Sequence, residues 1–255
     1  MGDAVRFEVP EPGIALMTID RPEARNALGR EVREGLFAGW ERFENDPELR
    51  VAILTGSGEK AFCAGGDLKE MAELKLTVPP RGMFPVPGDN IEITKPTIAA
   101  VNGVAFAGGW LIAQACDLCV ASTTARFAVT EVKVGRGSPW AAPLINMIPQ
   151  RIMMEILLTG DPIDAQRAYE IGLVNRVAEP DQLVEEAMKI ARRIVENAPL
   201  SVAAAKETVM LATEMGRTPA LRAARNTWER AYRSKDAQEG PKAFAEKRKP
   251  VWLGE

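Results

Sequence analysis

The sequence predicts an α/β fold whose last third is helical, on three observations. Short apolar runs occur at 51–55, 97–101 and 118–121. Runs of that length suit strands covered on both faces. Strand, helix, strand and glycine-rich loop follow one another before residue 60 and again around residue 97. Strands separated by helices predict crossovers of βαβ type with right-handed winding. Beyond residue 180 the strand signals stop and helical periodicity fills the chain.

Taken in order, 5–9 and 14–20 read as two strands joined through Pro10-Glu11-Pro12-Gly13, a hairpin-like opening that Arg21-Pro22 ends. Asn26 is placed to cap a helix reaching residue 45, with Val32, Leu36, Trp40 and Phe43 on one face. After the 51–55 strand and Gly56-Ser57-Gly58, the stretch KAFCAGGDLKE puts two glycines before a helix, with Asp67 in its first turn. Residues 74–94 hold Pro79, Pro80, Pro85 and Pro87 and little periodicity, so they read as a mobile loop or a broken helix. The 97–101 strand is broken by Asn102-Gly103, and Gly108-Gly109 precedes a helix over 110–116 that Asp117 ends. Strands follow at 118–121 and 126–129, and Glu131 stands on the loop after them. Helical stretches then carry Trp140, Leu144 and Met147, and next 152–158, which Thr159-Gly160 stops. Asp164 caps 165–171, Gly172 closes that helix, and 174–177 is a strand. Asp181 is read as the cap of a helix whose apolar stripe runs from Leu183 to Val195, and helices at 199–216 and 219–234 complete the chain.

Composition excludes several functions. At 255 residues the chain is long enough for a sizeable core. With 46% hydrophobic and 26% charged residues it is globular rather than disordered. A net charge of −3, with dispersed lysines and arginines, gives no electrostatic case for nucleic acid. No apolar run approaches the ~20 residues that cross a bilayer, and MGDAVRFEVPEPG lacks the apolar core of a secretory signal. Cys63, Cys116 and Cys119 show no disulfide or paired metal spacing and read as buried thiols, which fits a cytoplasmic chain. There are no histidines, so a Ser-His-Asp triad, a His-assisted cysteine and a His-ligated zinc are all excluded. Proton transfer falls to carboxylates, Lys, Tyr, Cys or water.

The two glycine-rich helix entrances suggest a chemistry. Glycine lets a ligand oxygen approach the backbone, and the first N–H groups of a helix have no partner within it. Two such donors converging on one point can hold a developing oxyanion.

The pair AFCAGGDLKEM and KPTIAAVNGVAFAGG resembles the enoyl-CoA hydratase/isomerase (crotonase) family. RPEARNAL, LTGDPIDAQRAYEIGLVNRV and EGPKAFAEKRKP match it too, in the right order over nearly the whole chain. The resemblance implies a crotonase-like spiral of ββα units. Residues 1–195 would form the core with the acyl-CoA site, and 196–255 a helical trimerisation region. It implies a homotrimer or hexamer, an acyl-CoA substrate whose coenzyme A is part of the substrate, no cofactor and no metal, and no nucleic-acid or membrane partner.

Carried over by motif, the two oxyanion amides are Gly66 and Gly108. Ala64, Gly65, Gly66, Asp67 and Leu68 would contact coenzyme A, as would Phe244 and Lys247, although Lys247 reads equally as a solvated surface lysine. Family hydratases use two glutamates. The later position matches Glu131, whereas the earlier one falls on Leu111. The resemblance therefore implies an enzyme with a single acid/base, Glu131, acting as a hydratase, isomerase or lyase. An acyl-CoA-binding member that has lost catalysis is the alternative that Leu111 motivates. An apolar surround would raise the pKa of Glu131. Leu111, Trp110, Trp140 and Phe106 are the candidates for it, while the helical spacing of Trp140 reads first as plain core.

Overall fold

The computed structural model describes residues 4–255. Val5–Glu11 (β1) and Ile14–Ile19 (β2) form an antiparallel hairpin around Gly13. Arg30–Asn45 (α1) leads to Val51–Gly56 (β3), and Ala61–Cys63 (β4) to the short helix Leu68–Glu73 (α2). Thr97–Val101 (β5) and Val104–Phe106 (β6) precede Gly108–Gln114 (α3). Leu118–Ser122 (β7) and Arg126–Ala128 (β8) end at a 3-10 helix, Thr130–Val134, that carries Glu131. A second 3-10 segment, Pro139–Asn146, precedes Gln150–Thr159 (α4), Ile163–Asp164 (β9), Ala165–Glu170 (α5) and Arg176–Ala178 (β10). Leu183–Val195 (α6), Pro199–Glu214 (α7), Arg217–Arg233 (α8) and Asp236–Ala245 (α9) finish the chain.

The strands sort into two sheets, β1-β2-β3-β5-β7-β10 and β4-β6-β8-β9. Apart from β1, at an edge of the larger sheet, and β9, at an edge of the smaller, every pairing is parallel. All residues of β3 and β5 are buried, which accounts for their unbroken apolar runs. Their side chains still alternate. Val51, Ile53, Ile98 and Ala100 pack under Leu183, Ala187 and Ala191 of α6. Ala52, Leu54, Ala99 and Val101 point the other way, into the larger core with Trp40, Phe43, Phe62 and Trp110.

Several sequence expectations are corrected. Asn26 is not a helix cap, because α1 starts at Arg30 behind Gly29. Asn26 has φ +56° and is fully buried, a left-handed conformation that asparagine tolerates. Its Oδ1 accepts from the Arg21 N–H at 2.9 Å, and its Nδ2 donates to the carbonyls of Ser57 at 3.0 Å and Ala61 at 2.8 Å. Asp67 is the N-cap of α2 rather than part of its first turn, and accepts from the N–H groups of Lys69 and Glu70. Asp181 lies in a 3-10 turn before α6 and makes no cap bond. Asp164 does cap α5, through the Arg167 N–H. Strand β6 and helix α9 had no periodic signal, being too short or too polar to show one. Residues 74–94 form turns without a helix, pinned by Asn90 to Val86 and Phe84 and by packing of Phe84 and Ile91 on the core.

Asn26 reaches further than its own bonds. The loop it holds receives the Ala64 N–H on Arg25 O at 3.0 Å and donates the Leu28 N–H to Gly65 O at 2.8 Å. Replacing Asn26 by Ala takes a donor from the buried Ala61 carbonyl, leaving it only the longer bond from Asn102 Nδ2 at 3.3 Å, and from the part-buried Ser57 carbonyl. Each such loss costs roughly 1–3 kcal/mol, so urea unfolding of Asn26→Ala should report a loss of about 2–4 kcal/mol. A change below about 0.5 kcal/mol, typical of a neutral surface site, would contradict this account of the loop.

Candidate active site

Three adjacent parallel strands of the smaller sheet end on the three residues of interest. In β4 and β6, Ala61 pairs with Val104 and Cys63 with Ala105; in β6 and β8, Phe106 pairs with Ala128. Gly66 follows β4, Gly108 follows β6 and Glu131 follows β8. Neighbouring strands lie about 4.8 Å apart, so the topology delivers two glycines and a carboxylate to one sheet end. The crevice beyond strand carboxyl ends is where α/β sheets bind ligands.

The two glycine loops touch. Gly65 has φ +103°, and a Cβ there would lie 2.9 Å from Phe106 O and 3.5 Å from the Gly108 nitrogen. A Cβ on Gly108 would lie 3.5 Å from the Gly66 nitrogen. At Gly65 the facing backbone leaves room only for hydrogen, whereas at Gly108 the Gly66 backbone lies at ordinary contact distance. Gly109 serves packing instead, since a Cβ there would sit 2.0 Å from Cys63 O. Ala107, just before Gly108, has φ +51° and ψ −121°. That conformation costs an alanine about 1–3 kcal/mol. It is held by the Ala107 N–H on Ala128 O at 2.9 Å, and it turns the peptide that carries the Gly108 N–H. Neither the Gly66 nor the Gly108 N–H donates to a protein acceptor among the described residues.

Helix α2 buries none of its residues, so its position rests on polar ties. Arg33 of α1 grips Glu70 with two bonds, 2.8 and 2.9 Å, and also donates to Leu28 O at 2.7 Å. This largely enclosed pair holds the Glu70 carboxyl below the usual range.

Glu131 is buried, 8% exposed. Its Oε1 accepts the Trp140 indole N–H at 2.8 Å, while Oε2 is buried with no partner. Burial raises its pKa; a backbone bond and the Trp140 bond oppose that rise without cancelling it. Leu111 is buried in the first turn of α3. Trp110 belongs to the core, edge-on to Phe127 at 5.8 Å, and Trp140 is not plain core but a donor to the carboxylate. Cys63 and Cys119 are buried thiols pushed up to about 12, and burial raises Cys116 too, so none is a thiolate near neutrality.

The remaining expected residues divide. Ala64, Gly65, Gly66, Asp67 and Leu68 form one run at the crevice, with Leu68 61% exposed. It flanks a cleft of about 370 Å³ lined by Arg21, Gly29, Arg30, Asp67, Glu70 and Leu74. Phe244 and Lys247 lie at the end of α9, both exposed, and the tail beyond them is tied to Arg50 and Glu196. The structure draws no bond between them and the glycine loops. Among the described residues, no cluster of His, Cys, Asp or Glu could hold a metal ion. The sequence offers Trp140 as apolar surround for Glu131 or as core, but neither its donor role nor Gln114 is visible there, because a side-chain bond formed across irregular turns leaves no periodic trace.

A family model described as enoyl-CoA hydratase/isomerase matches residues 10–255. The chain is 40% identical over 247 residues to (E)-benzylidenesuccinyl-CoA hydratase of Thauera aromatica, covering 94% of this chain and 96% of that one. It is 41% identical over 246 residues to carnitinyl-CoA dehydratase of Salmonella typhi, covering 93% and 94%. Among solved structures, enoyl-CoA hydratase EchA1 from Mycobacterium marinum superposes with a TM-score of 0.91 at 38% identity over all of both chains. Enoyl-CoA hydratase from Mycobacterium tuberculosis gives 0.88 at 36%, again over all of both chains.

The burial of Glu131 predicts a pH signature. With the folded pKa above the unfolded one, the protonated carboxyl favours folding. That contribution is present below the ordinary carboxyl range and is lost as pH rises through the raised value. Glu131→Gln keeps an acceptor for Trp140 and removes the buried charge. Its thermal midpoint should exceed that of the parent at pH 8, with the gap closing on acidification. A variant less stable than the parent at pH 8 would contradict the assignment of a costly buried carboxylate.

Proposed function

The chain belongs to the enoyl-CoA hydratase/isomerase family, and from that premise we propose that it adds water to, or removes it from, the C2–C3 bond of an acyl-CoA thioester. Glu131 carries the reading: one buried carboxylate, at the end of the sheet that bears both glycine loops, with an oxygen free to bind a proton. The relatives' names, a hydratase and a dehydratase of CoA thioesters, support water chemistry.

In the hydration direction, the free oxygen of Glu131 takes a proton from water as the water oxygen bonds to C3. The C2–C3 π pair moves toward the thioester, giving an enolate. The N–H groups of Gly66 and Gly108 hold its oxygen. Glu131 then returns its proton to C2, and the net change is the addition of one water. Burial suits both halves, since a raised pKa keeps the carboxyl able to accept and to donate. Coenzyme A is part of the substrate and the scheme calls for no other cofactor. Ala64 to Leu68 flank the coenzyme, and Phe244 and Lys247 meet it at a distance from the reacting carbons.

Leu111 favours a second reading. An aliphatic side chain where family hydratases carry a glutamate leaves one proton carrier, which suffices to move a double bond between C3–C4 and C2–C3. Residues 1–195 then form the catalytic core, and 196–255 the assembly region of a cytoplasmic homotrimer or hexamer. Exposed Val209, Met210, Leu221 and Tyr232 on α7 and α8 support such an assembly. No helix among the described residues is long and apolar enough to cross a membrane.

Purified protein given 2-enoyl- and 3-enoyl-CoA thioesters of several chain lengths and an aryl-substituted one tests the reading. Glu131→Gln should lose about 10²–10⁴ in kcat. Gly108→Pro, which removes one N–H, should lose at least about 10²–10³ while the fold persists. Turnover of none of these thioesters, or full activity in Glu131→Gln, would overturn the proposal.

A further inference from the structure

One side-chain donor holds Glu131. Trp140 donates to Oε1 at 2.8 Å, and Oε2 is left without a partner. Trp140 is fixed in turn: its main-chain oxygen accepts Gln114 Nε2 at 2.8 Å. Gln114 closes α3, the helix that opens on Gly108. One run of hydrogen bonds therefore links that helix to the carboxylate. The indole ring packs half-buried against the main core, so the N–H is aimed rather than swinging.

Charged groups nearby are engaged elsewhere or face water. Lys133, on the Glu131 turn, pairs with Asp161 at 2.7 Å. Arg136 donates to the carbonyls of Leu76 and Thr77 at 2.8 and 3.2 Å. Arg151 and Glu155 of α4, which packs on this turn, are exposed, and α3 carries no charge. A neutral indole is thus the side-chain donor that meets Glu131. A lysine or arginine there would pull the carboxyl well down. An indole fixes it in place while burial still dominates its proton affinity.

We propose that Trp140 is a positioning residue: its indole N–H occupies one oxygen of Glu131, sets the carboxylate plane and reserves Oε2 for the substrate's proton. Gln114 completes the device by tying Trp140 to the helix that presents the Gly108 N–H, so carboxylate and oxyanion donor move as one body. The inference rests on the reading of Glu131 as the acid/base.

Steady-state kinetics of Trp140→Phe across pH test it, with Glu131→Gln in parallel. Trp140→Phe keeps an apolar ring and deletes the donor. Its kcat should fall about 10–100-fold, in line with the loss of a hydrogen bond to a charged group, with KM for the thioester changed less than about twofold. The bond favours the charged carboxylate, so its loss should move the acid limb of kcat/KM upward by about one pH unit. If Glu131→Gln is inactive while Trp140→Phe leaves kcat and the acid limb unmoved, the positioning role is wrong and the acid/base reading survives. A lowered kcat with an unmoved acid limb also overturns it, marking Trp140 as structural support only. Full activity in Glu131→Gln removes both readings together. Should Trp140→Phe fold poorly, Gln114→Met tests the same run of bonds. It should lower kcat and move the limb in the same direction to a smaller extent, and parental behaviour would overturn the proposal.

Discussion

The site depends on two main chains approaching with no side chain between them. Gly65–Gly66 and Ala107–Gly108 lie so close that a Cβ on Gly65 would press on Phe106 O at 2.9 Å. Everything around the contact serves to keep it. Ala107 stays in an unfavourable positive-φ conformation because its own N–H bonds to Ala128 O, Phe106 before it is paired in β6, and Gly108 after it opens α3. Asn26 organises the loop that pairs with Ala64 and Gly65. Arg33 and Glu70 secure α2, which has no buried face of its own. Strain and polar ties are concentrated where two N–H groups are left without partners, as expected where a protein preorganises donors for a charge that appears only during reaction.

Electrostatics at the carboxylate on the same sheet end follow from its local surroundings. Leu111, buried in α3, contributes no charge, and the cations near the Glu131 turn are committed to Asp161 and to backbone carbonyls. Desolvation is left as the dominant influence on Glu131, opposed by a backbone bond and then by the Trp140 indole. A lone carboxyl whose pKa is raised by burial is better able both to receive and to release a proton. Two oxygens with distinct surroundings, one bonded and one bare, suit a single-carboxylate reaction.

Much of this was legible in the sequence, for reasons that differ by element. The runs at 51–55 and 97–101 gave β3 and β5 because strands buried on both faces are apolar throughout. Both glycine pairs lie at helix starts, and one glycine of each, Gly65 and Gly109, sits where a Cβ would press on a backbone carbonyl. Asn26 misled, since an asparagine before a helix reads as a cap whether or not it bonds to distant carbonyls instead. Trp140 misled in the same way: an indole at helical spacing looks like core until its N–H has a partner. Short β6 and polar α9 fell below any periodic signal. What local pattern conveys is which face is buried. Pairings across distant loops arise only from the three-dimensional path of the chain.

The central claim is that the Gly66 and Gly108 N–H groups converge on a thioester oxygen. The vibrational spectrum of a bound, unreactive enoyl-CoA analogue labelled at the thioester carbonyl measures this most directly. Two aligned donors should shift the carbonyl stretch of the bound ligand to lower frequency than in water, and Gly108→Pro should return much of that shift. A stretch at its aqueous frequency in the parent protein, with the ligand saturating, would contradict the account.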